Sequence, residues 1–116
     1  MIRRREIIDA LELLADVRYQ YDAWVRRASS SSTSFNDVIA DLYDTGEVRR
    51  VLALPPAESG LTRKEHHALQ SAVVAIDALL ESHPNEESDE KILQDQRWPH
   101  IRIAAGRAAK ILRENE

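Results

Sequence analysis

The chain has no cysteine, three glycines and no long apolar run. Without cysteine it has no disulfide framework, thiol nucleophile or thiolate metal site, and this absence fits a reducing cytoplasm. The N-terminus has a basic start but then alternates acidic and apolar residues, so it lacks the apolar core of a signal peptide. No stretch approaches the ~20 apolar residues of a membrane span. We therefore expect a cytoplasmic protein that has no membrane segment.

The charge balance argues against a nucleic-acid partner. The chain has 20 acidic residues against 16 lysines and arginines, a net charge of −4, and such a protein repels phosphates over long range. Scarce glycine with abundant alanine and leucine is a helical composition. At 116 residues the chain can build one core but has little room for a second. We expect a single helical domain over residues 1–116.

Apolar side chains recur with the helical period along most of the chain, which predicts an all-α fold. We expect a compact bundle of four to six helices without a sheet. The four main helices are predicted near residues 2–28, 35–44, 62–83 and 98–114. Thr62 and Glu65 form a capping box at the start of the third. The two tryptophans, Trp24 and Trp98, are interpreted as core residues, because a large indole in or beside an apolar stripe is what packing needs.

Two connectors separate these helices. A serine-rich connector covers residues 29–34, and a proline-containing connector covers 47–61, where an extended or single-turn segment packs on the core. The first helix is either continuous to about Ala28 or broken after Ala15, with Asp16 capping a second helix. The sequence leaves both alternatives open.

The segment from Ser34 to Gly46 has the greatest concentration of acidic side chains. At 100° per residue, Asp37, Asp41 and Asp44 project together from one face of a helix. Ser34 is a candidate N-cap, and Gly46 is a glycine able to adopt a positive φ at the end. The apolar face opposite consists of Phe35, Val38, Ile39, Leu42 and Tyr43.

No pattern in the sequence indicates catalysis, a cofactor or a metal. His66 and His67 are adjacent and diverge by 100° on a helix, so they cannot chelate as an i, i+4 pair would. The serines lie in no nucleophile elbow, and the glycines form no phosphate-binding loop. Asp37 and Asp41 lie one turn apart, but they point away from the apolar face and lack the burial that perturbs a pKa. We predict that the protein is not an enzyme.

The acidic stripe has two interpretations. It is either a solvated helix face or a docking surface for a basic partner, where complementary charge raises the association rate and fixes the register. Glu47 extends the candidate surface, and Tyr43 supplies an aromatic side chain of the kind that interfaces favour. Arg49 and Arg50 follow immediately and could neutralise the stripe internally. The predicted partner-binding residues are Asp37, Asp41, Tyr43, Asp44 and Glu47.

Three segments resemble a small, poorly characterised bacterial family of helical proteins. They are LADVRYQYDAWVRR at 14–27, SFNDVIADLYDTG at 34–46 and DQRWPHIRIAAGRAA at 95–109. Some small helical proteins similar to this family accompany bacterial toxins, including contact-dependent inhibition systems, as immunity proteins. These are commonly acidic and bind basic nuclease toxins. The serine run and the Arg49–Arg50 pair depart from the uniformly acidic surface that this resemblance implies.

Together these observations predict a non-catalytic protein-binding protein. Its most concrete form, implied by the resemblance, is an immunity protein that occludes a basic, nuclease-type toxin. The alternative is a structural or regulatory helical module that self-associates through surplus apolar surface, so a homo-oligomer stays open. A third class, a small-molecule site between helices around Tyr19, Tyr21 and His66, would need a buried polar cluster.

Overall fold

The structure is a computed structural model and describes residues 3–16, 20, 35–83 and 89–114. A π-helical turn, Asp41–Thr45, continues the second helix, and the described residues contain no strand. The all-α fold class is therefore confirmed. The α-helices are α1 (Arg4–Ala15), α2 (Phe35–Ala40), α3 (Val48–Ala53), α4 (Pro56–Ser59), α5 (Arg63–Ser82), α6 (Asp89–Gln94) and α7 (Trp98–Glu114).

Helix α7 is central, because it packs against both α1 and α5. Small side chains let α1 approach it closely: a Cβ at Gly106 would lie 3.3 Å from that of Ala15. Burial of each large apolar side chain contributes roughly 1.5–3 kcal/mol relative to exposure. The fully buried side chains of the three long helices include Ile7, Ile8, Leu11, Leu14, Leu69, Ile76, Leu79, Ile101 and Leu112.

Helix α1 ends at Ala15, which decides between the two alternatives for the first helix. Asp16 has an extended backbone (φ −88°, ψ 97°). Its carbonyl accepts a hydrogen bond of 3.1 Å from the Gln20 amide, the first i, i+4 bond expected after an N-cap. A continuous helix over residues 2–28 is therefore wrong. Several predictions concern residues outside the described ones: Trp24, Tyr19, Tyr21, Ser34 and the serine-rich connector.

Gln20 is 2% exposed and links the end of α1 to the start of α7. Its amide nitrogen donates to the carbonyls of Leu13 (2.9 Å) and Leu14 (2.7 Å). Its amide oxygen accepts from the Trp98 indole at 3.0 Å. Trp98 is 2% exposed and meets the Phe35 ring edge-on at 5.7 Å, so its prediction as a core residue is confirmed.

Glu65 joins the starts of α1 and α5 to the end of α7. The predicted capping box is present, since the Thr62 amide donates to Glu65 Oε1 (2.8 Å) and the Glu65 amide donates to Thr62 Oγ1 (3.1 Å). The second carboxylate oxygen of Glu65, which is 1% exposed, accepts from Arg4 Nη1 at 2.6 Å. The same Arg4 nitrogen donates to the Leu112 carbonyl at 3.2 Å.

Residues 47–61 contain two short helices, α3 of six residues and α4 of a single turn. They bring the number of α-helices among the described residues to seven. Pro55 and Pro56 stop α3 as expected, and Pro56 then occupies the first position of α4, where its missing N–H costs nothing. Val48 and Val51 are fully buried, so the connector contributes to the core.

Candidate functional site

The three predicted aspartates are all exposed, but they do not share one α-helical face. Asp37 lies in α2, whereas Asp41 and Asp44 lie in the π-helical turn. The Gly46 amide donates to the Asp41 carbonyl at 2.8 Å, an i, i+5 bond. The wider turn changes the angle per residue after Ala40. The prediction of a regular 35–44 α-helix is therefore wrong at its second half, and the spacing of 100° per residue does not hold from Asp41 to Asp44.

Gly46 has an ordinary helical backbone (φ −76°), which contradicts its predicted positive φ. Glu47 adopts the left-handed conformation instead, with φ 51°. The glycine is needed for close approach, because a Cβ there would lie 2.7 Å from the Leu42 carbonyl oxygen and 3.0 Å from Ile7 Cγ1. The absence of a side chain at this position lets the π-helical turn pack onto α1.

This close packing forms a groove between α1 and the π-helical turn, with a cavity of about 230 Å³. We call it the acidic groove. Glu6 and Asp41 form no ion pair within the described parts of the chain, and Asp9 lies 3.5 Å from the exposed Arg5. The groove combines carboxylates with apolar and hydroxyl-bearing residues. It is lined by Glu6, Asp9, Ala10, Leu13, Asp41 and Thr45.

Sequence reasoning missed Glu6 and Asp9. They lie i, i+3 on α1, as Asp9 does with Glu12, so the spacing alone does not single them out. Only the packing of the π-helical turn on α1 brings them beside Asp41. Asp44 and Asp37, which sequence reasoning included, do not line this groove.

Tyr43 is half-buried, and its hydroxyl already forms a hydrogen bond within the protein. It donates to Asp77 Oδ1 on α5 at 2.6 Å. Arg49 stacks over the ring at 4.8 Å and donates to both oxygens of Asp77, at 2.8 and 3.1 Å. Burial, followed by the hydrogen bond to the Asp77 carboxylate, raises the pKa of the Tyr43 phenol well above its usual range. Tyr43 therefore connects the π-helical turn to α5, and it is not an exposed anchor.

Glu47 and the two arginines form local pairs. Arg50 donates to Glu47 at 3.0 Å, and this hydrogen bond lowers the pKa of the Glu47 carboxyl. Arg49 is held by Asp77. Neither arginine forms an ion pair with Asp41 or Asp44 in the part of the chain that the structure describes. The expected neutralisation therefore applies to Glu47 alone.

His66 and His83 lie in separate parts of the protein. His66 Nε2 lies 3.0 Å from the Leu52 carbonyl oxygen, and His83 Nε2 lies 2.8 Å from Asp95 Oδ2. Across residues 3–16, 20, 35–83 and 89–114, no group of three or more histidine, aspartate or glutamate side chains is arranged to hold a metal ion. Over the same residues no helix is both long and apolar enough to cross a membrane.

Comparison with known proteins gives one whole-chain match. No curated protein and no solved structure matches the sequence. A family model matches residues 2–116, nearly the full length, so the three resembling segments lie within one family-wide domain. The family is poorly characterised, as the resemblance implied, and it carries no assigned activity. The chain therefore belongs to the family described as a domain of unknown function, DUF7945.

Proposed function

We propose that the protein is a non-catalytic binding protein for a basic protein partner, most concretely an immunity protein that occludes a nuclease-type toxin. The observation that carries this proposal is the acidic groove. Two of its carboxylates, Glu6 and Asp41, form no ion pair with described residues, so they are available to an incoming cation. The resemblance to immunity proteins supplies the class of partner.

The groove suits a lysine or arginine side chain. Such a side chain has an apolar stem and a charged end, and the groove offers Ala10 and Leu13 beside Glu6, Asp9 and Asp41. Exposed carboxylates contribute more to association rate and register than to affinity. Occlusion of a toxin needs only shape and charge complementarity over a standard interface of roughly 1,600 Å².

The test begins with gene context. We expect the neighbouring reading frame to encode a large secreted protein with a basic C-terminal domain, and we expect that purified domain to bind this protein. In Glu6→Lys/Asp41→Lys the association rate constant at low salt should fall about 100-fold, since electrostatic steering contributes factors of 10 to 10³. Stopped-flow measurements at low and high salt should show the effect shrinking as salt screens the charges.

The matched control is Glu58→Lys/Glu114→Lys, which changes the net charge equally at exposed positions on α4 and α7. Its rate constant should change much less than that of the groove variant. Asp37→Lys/Asp44→Lys tests the predicted acidic stripe separately from the groove. If it lowered the association rate constant as much as the groove variant does, the binding site would be the stripe and not the groove. Equal rates for the groove variant and wild type would refute the site, and absence of binding would refute the toxin partner.

Self-association is the second candidate, and a separate observation favours it. Among the described residues the exposed large apolar side chains are Val74 and Ile103, at 62% and 68% exposure. A sedimentation profile that depends on concentration without any partner would support this function. A monomer at all concentrations would exclude it.

A further inference from the structure

A second groove runs between α5 and α7, with a cavity of about 500 Å³; we call it the α5–α7 groove. Its lining includes Val74, Ala78 and Ile101 as apolar residues, with His67, Arg97 and His100 as basic ones, and it includes no acidic residue. The α5 residues that line it extend from position 67 to 78, in a stripe with helical spacing. At 1.5 Å per residue this stripe is about 16 Å long, or three helical turns.

Of the two exposed apolar side chains among the described residues, one lines this groove and the other lies further along α7. Val74 lines the groove, and Ile103 lies one turn beyond His100 on α7. A single exposed apolar residue needs no explanation. Val74 in the groove and Ile103 one helical turn beyond its lining residue His100, with 62% and 68% exposure, together indicate an interaction site.

The charge of α7 is opposite to that of the protein as a whole. Helix α7 contains four lysines and arginines and one acidic residue, Glu114, whereas the chain has a net charge of −4. Arg97 and Arg113 are paired with Asp95 and Glu12. Arg102, Arg107 and Lys110 form no ion pair with any described residue.

These cations flank Ile103. At helical spacing, His100, Ile103, Arg107 and Lys110 follow each other at i, i+3, i+7 and i+10, so they form one strip on α7. All four are exposed. The strip adjoins the α5–α7 groove at His100 and presents Ile103 beside Arg107. At its far end Lys110 also lines a separate cavity on the α1 side, with Glu12 and Asp16.

The combination of apolar contacts and positive charge indicates which kind of partner binds this face. A second copy packed symmetrically would place the same patch against itself, so Arg107 and Lys110 of each copy would face like charges. A nucleic acid would use the cations but leave Val74 and Ile103 without an apolar partner, and the net charge would repel it. A helix with an apolar stripe and acidic flanks satisfies both features, and helix-in-groove binding is a common mode of recognition.

We propose that the α5–α7 groove binds an acidic amphipathic helix of another protein, with its apolar stripe on Val74 and Ile103 and its carboxylates near Arg107 and Lys110. The proposal goes beyond the acidic groove and its basic partner, since the two surfaces share no residue. It gives the protein two docking surfaces of opposite charge.

Two synthetic peptides test the proposal on the ¹⁵N-labelled full chain. Both are about 18 residues long, with leucines at i, i+3, i+4 and i+7; one has glutamates on its flanks and the other lysines. The glutamate peptide should bind at least about tenfold more tightly than the lysine peptide, and the binding should weaken with salt. The largest amide shifts should occur at Val74, His100 and Ile103.

Variants separate the two contributions. Val74→Ser/Ile103→Ser removes the exposed apolar contacts, and Arg107→Glu/Lys110→Glu reverses the charge. Each should weaken binding of the glutamate peptide by about tenfold or more, because each removes one half of the complementarity. Arg3→Glu/Arg5→Glu is the control with the same change of net charge, placed at the N-cap and in the first turn of α1. It should bind the glutamate peptide within about threefold of wild type, since only screened long-range charge changes.

Five results would overturn the proposal, and four of them come from binding measurements. These four are equal binding of both peptides at this face, shifts centred away from this face, no binding at millimolar concentration, and the same shifts with a single-stranded DNA oligonucleotide. Self-association of the free protein that Ile103→Ser abolishes would assign the face to a second copy and would also overturn it. Binding of the lysine peptide at Leu13 and Asp41 would instead support the acidic groove, so the two proposals can fail separately.

Discussion

Carboxylates lie beside helix α1 in two regions of the protein, and the two regions differ in whether those carboxylates are paired. At its contacts with α5 and α7, the buried Glu65 accepts hydrogen bonds on both carboxylate oxygens, from Thr62 and Arg4. At its contact with the π-helical turn, Glu6 and Asp41 line the acidic groove without an ion pair among described residues. Both regions depend on carboxylates, but only the first has them fully partnered.

The difference separates residues that hold the fold from residues that are free to bind. A buried charge must be paired, because removal from water costs several kcal/mol per ion. An exposed carboxylate has no such requirement, and its contribution to stability is small. Substitutions at the buried junctions should therefore change the free energy of unfolding, whereas those in the acidic groove should change association with a partner.

The largest effect on stability is expected at Glu65. Glu65→Ala removes the capping box and leaves Arg4 without its carboxylate, so the free energy of unfolding should fall by about 3 kcal/mol. Glu65→Gln keeps an acceptor at the capping position, and its loss should be about 2 kcal/mol because only the charge is removed. Urea unfolding measures both.

The matched control is Glu6→Ala, an exposed glutamate on α1. Its unfolding free energy should stay within about 0.5 kcal/mol of wild type. If Glu65→Ala and Glu6→Ala proved equal, the comparison between a structural and a binding region would be wrong.

Gln20 should show the next largest effect. Gln20→Ala leaves the Trp98 N–H and the carbonyls of Leu13 and Leu14 without this partner, at a cost of about 2 kcal/mol. A double-mutant cycle with Trp98→Phe isolates the indole hydrogen bond, for which we expect a coupling of about 1 kcal/mol. Gln70→Ala, at an exposed glutamine on α5, is the control for loss of a glutamine side chain. A coupling of zero between Gln20 and Trp98 would show that their 3.0 Å hydrogen bond does not contribute to stability.

The fold could largely be predicted from sequence because its strongest determinants are local. Apolar periodicity placed α5 and α7 close to their observed bounds, and the capping box at Thr62 depends on residues three apart. Gly46 is required both by the Leu42 carbonyl within the π-helical turn and by Ile7, a residue 39 positions away in sequence, and the packing on Ile7 is not visible in the local pattern. Local patterns contain no information about such a contact.

The candidate site was less predictable for the same reason. The exposure of Asp41 follows from its position opposite the apolar face, but its neighbours Glu6 and Asp9 come from another helix. Tyr43 was expected at an interface on grounds of residue type. Its hydrogen bond to Asp77 depends on the packing of α5, which the sequence of residues 34–46 does not show.

Asp95 has partners, as Glu65 and Gln20 do, but it is less buried than they are. Its substitution should therefore have the smallest effect of the three on the free energy of unfolding. It accepts from Arg97 through the guanidinium (2.8 and 3.0 Å) and the backbone amide (2.8 Å), and it lies 2.8 Å from His83. The Arg97 hydrogen bonds, followed by that of His83, hold the pKa of the Asp95 carboxyl well below its usual range. The stabilisation is therefore complete above the unfolded pKa, near 4, and is lost as pH falls through the lower folded value.

Asp95→Asn should accordingly destabilise the protein by about 1 kcal/mol at neutral pH, a small value because Arg97 is exposed. The difference between variant and wild type should shrink as pH falls below about 4, since protonation then removes the same interaction from the wild type. Asp44→Asn, at an exposed carboxylate without an ion pair among described residues, should show no such trend. Urea unfolding between neutral pH and pH ~3 decides it: a constant difference for Asp95→Asn would mean that the carboxylate charge does not stabilise this turn, and Asp95 would then belong with the exposed acids of the groove.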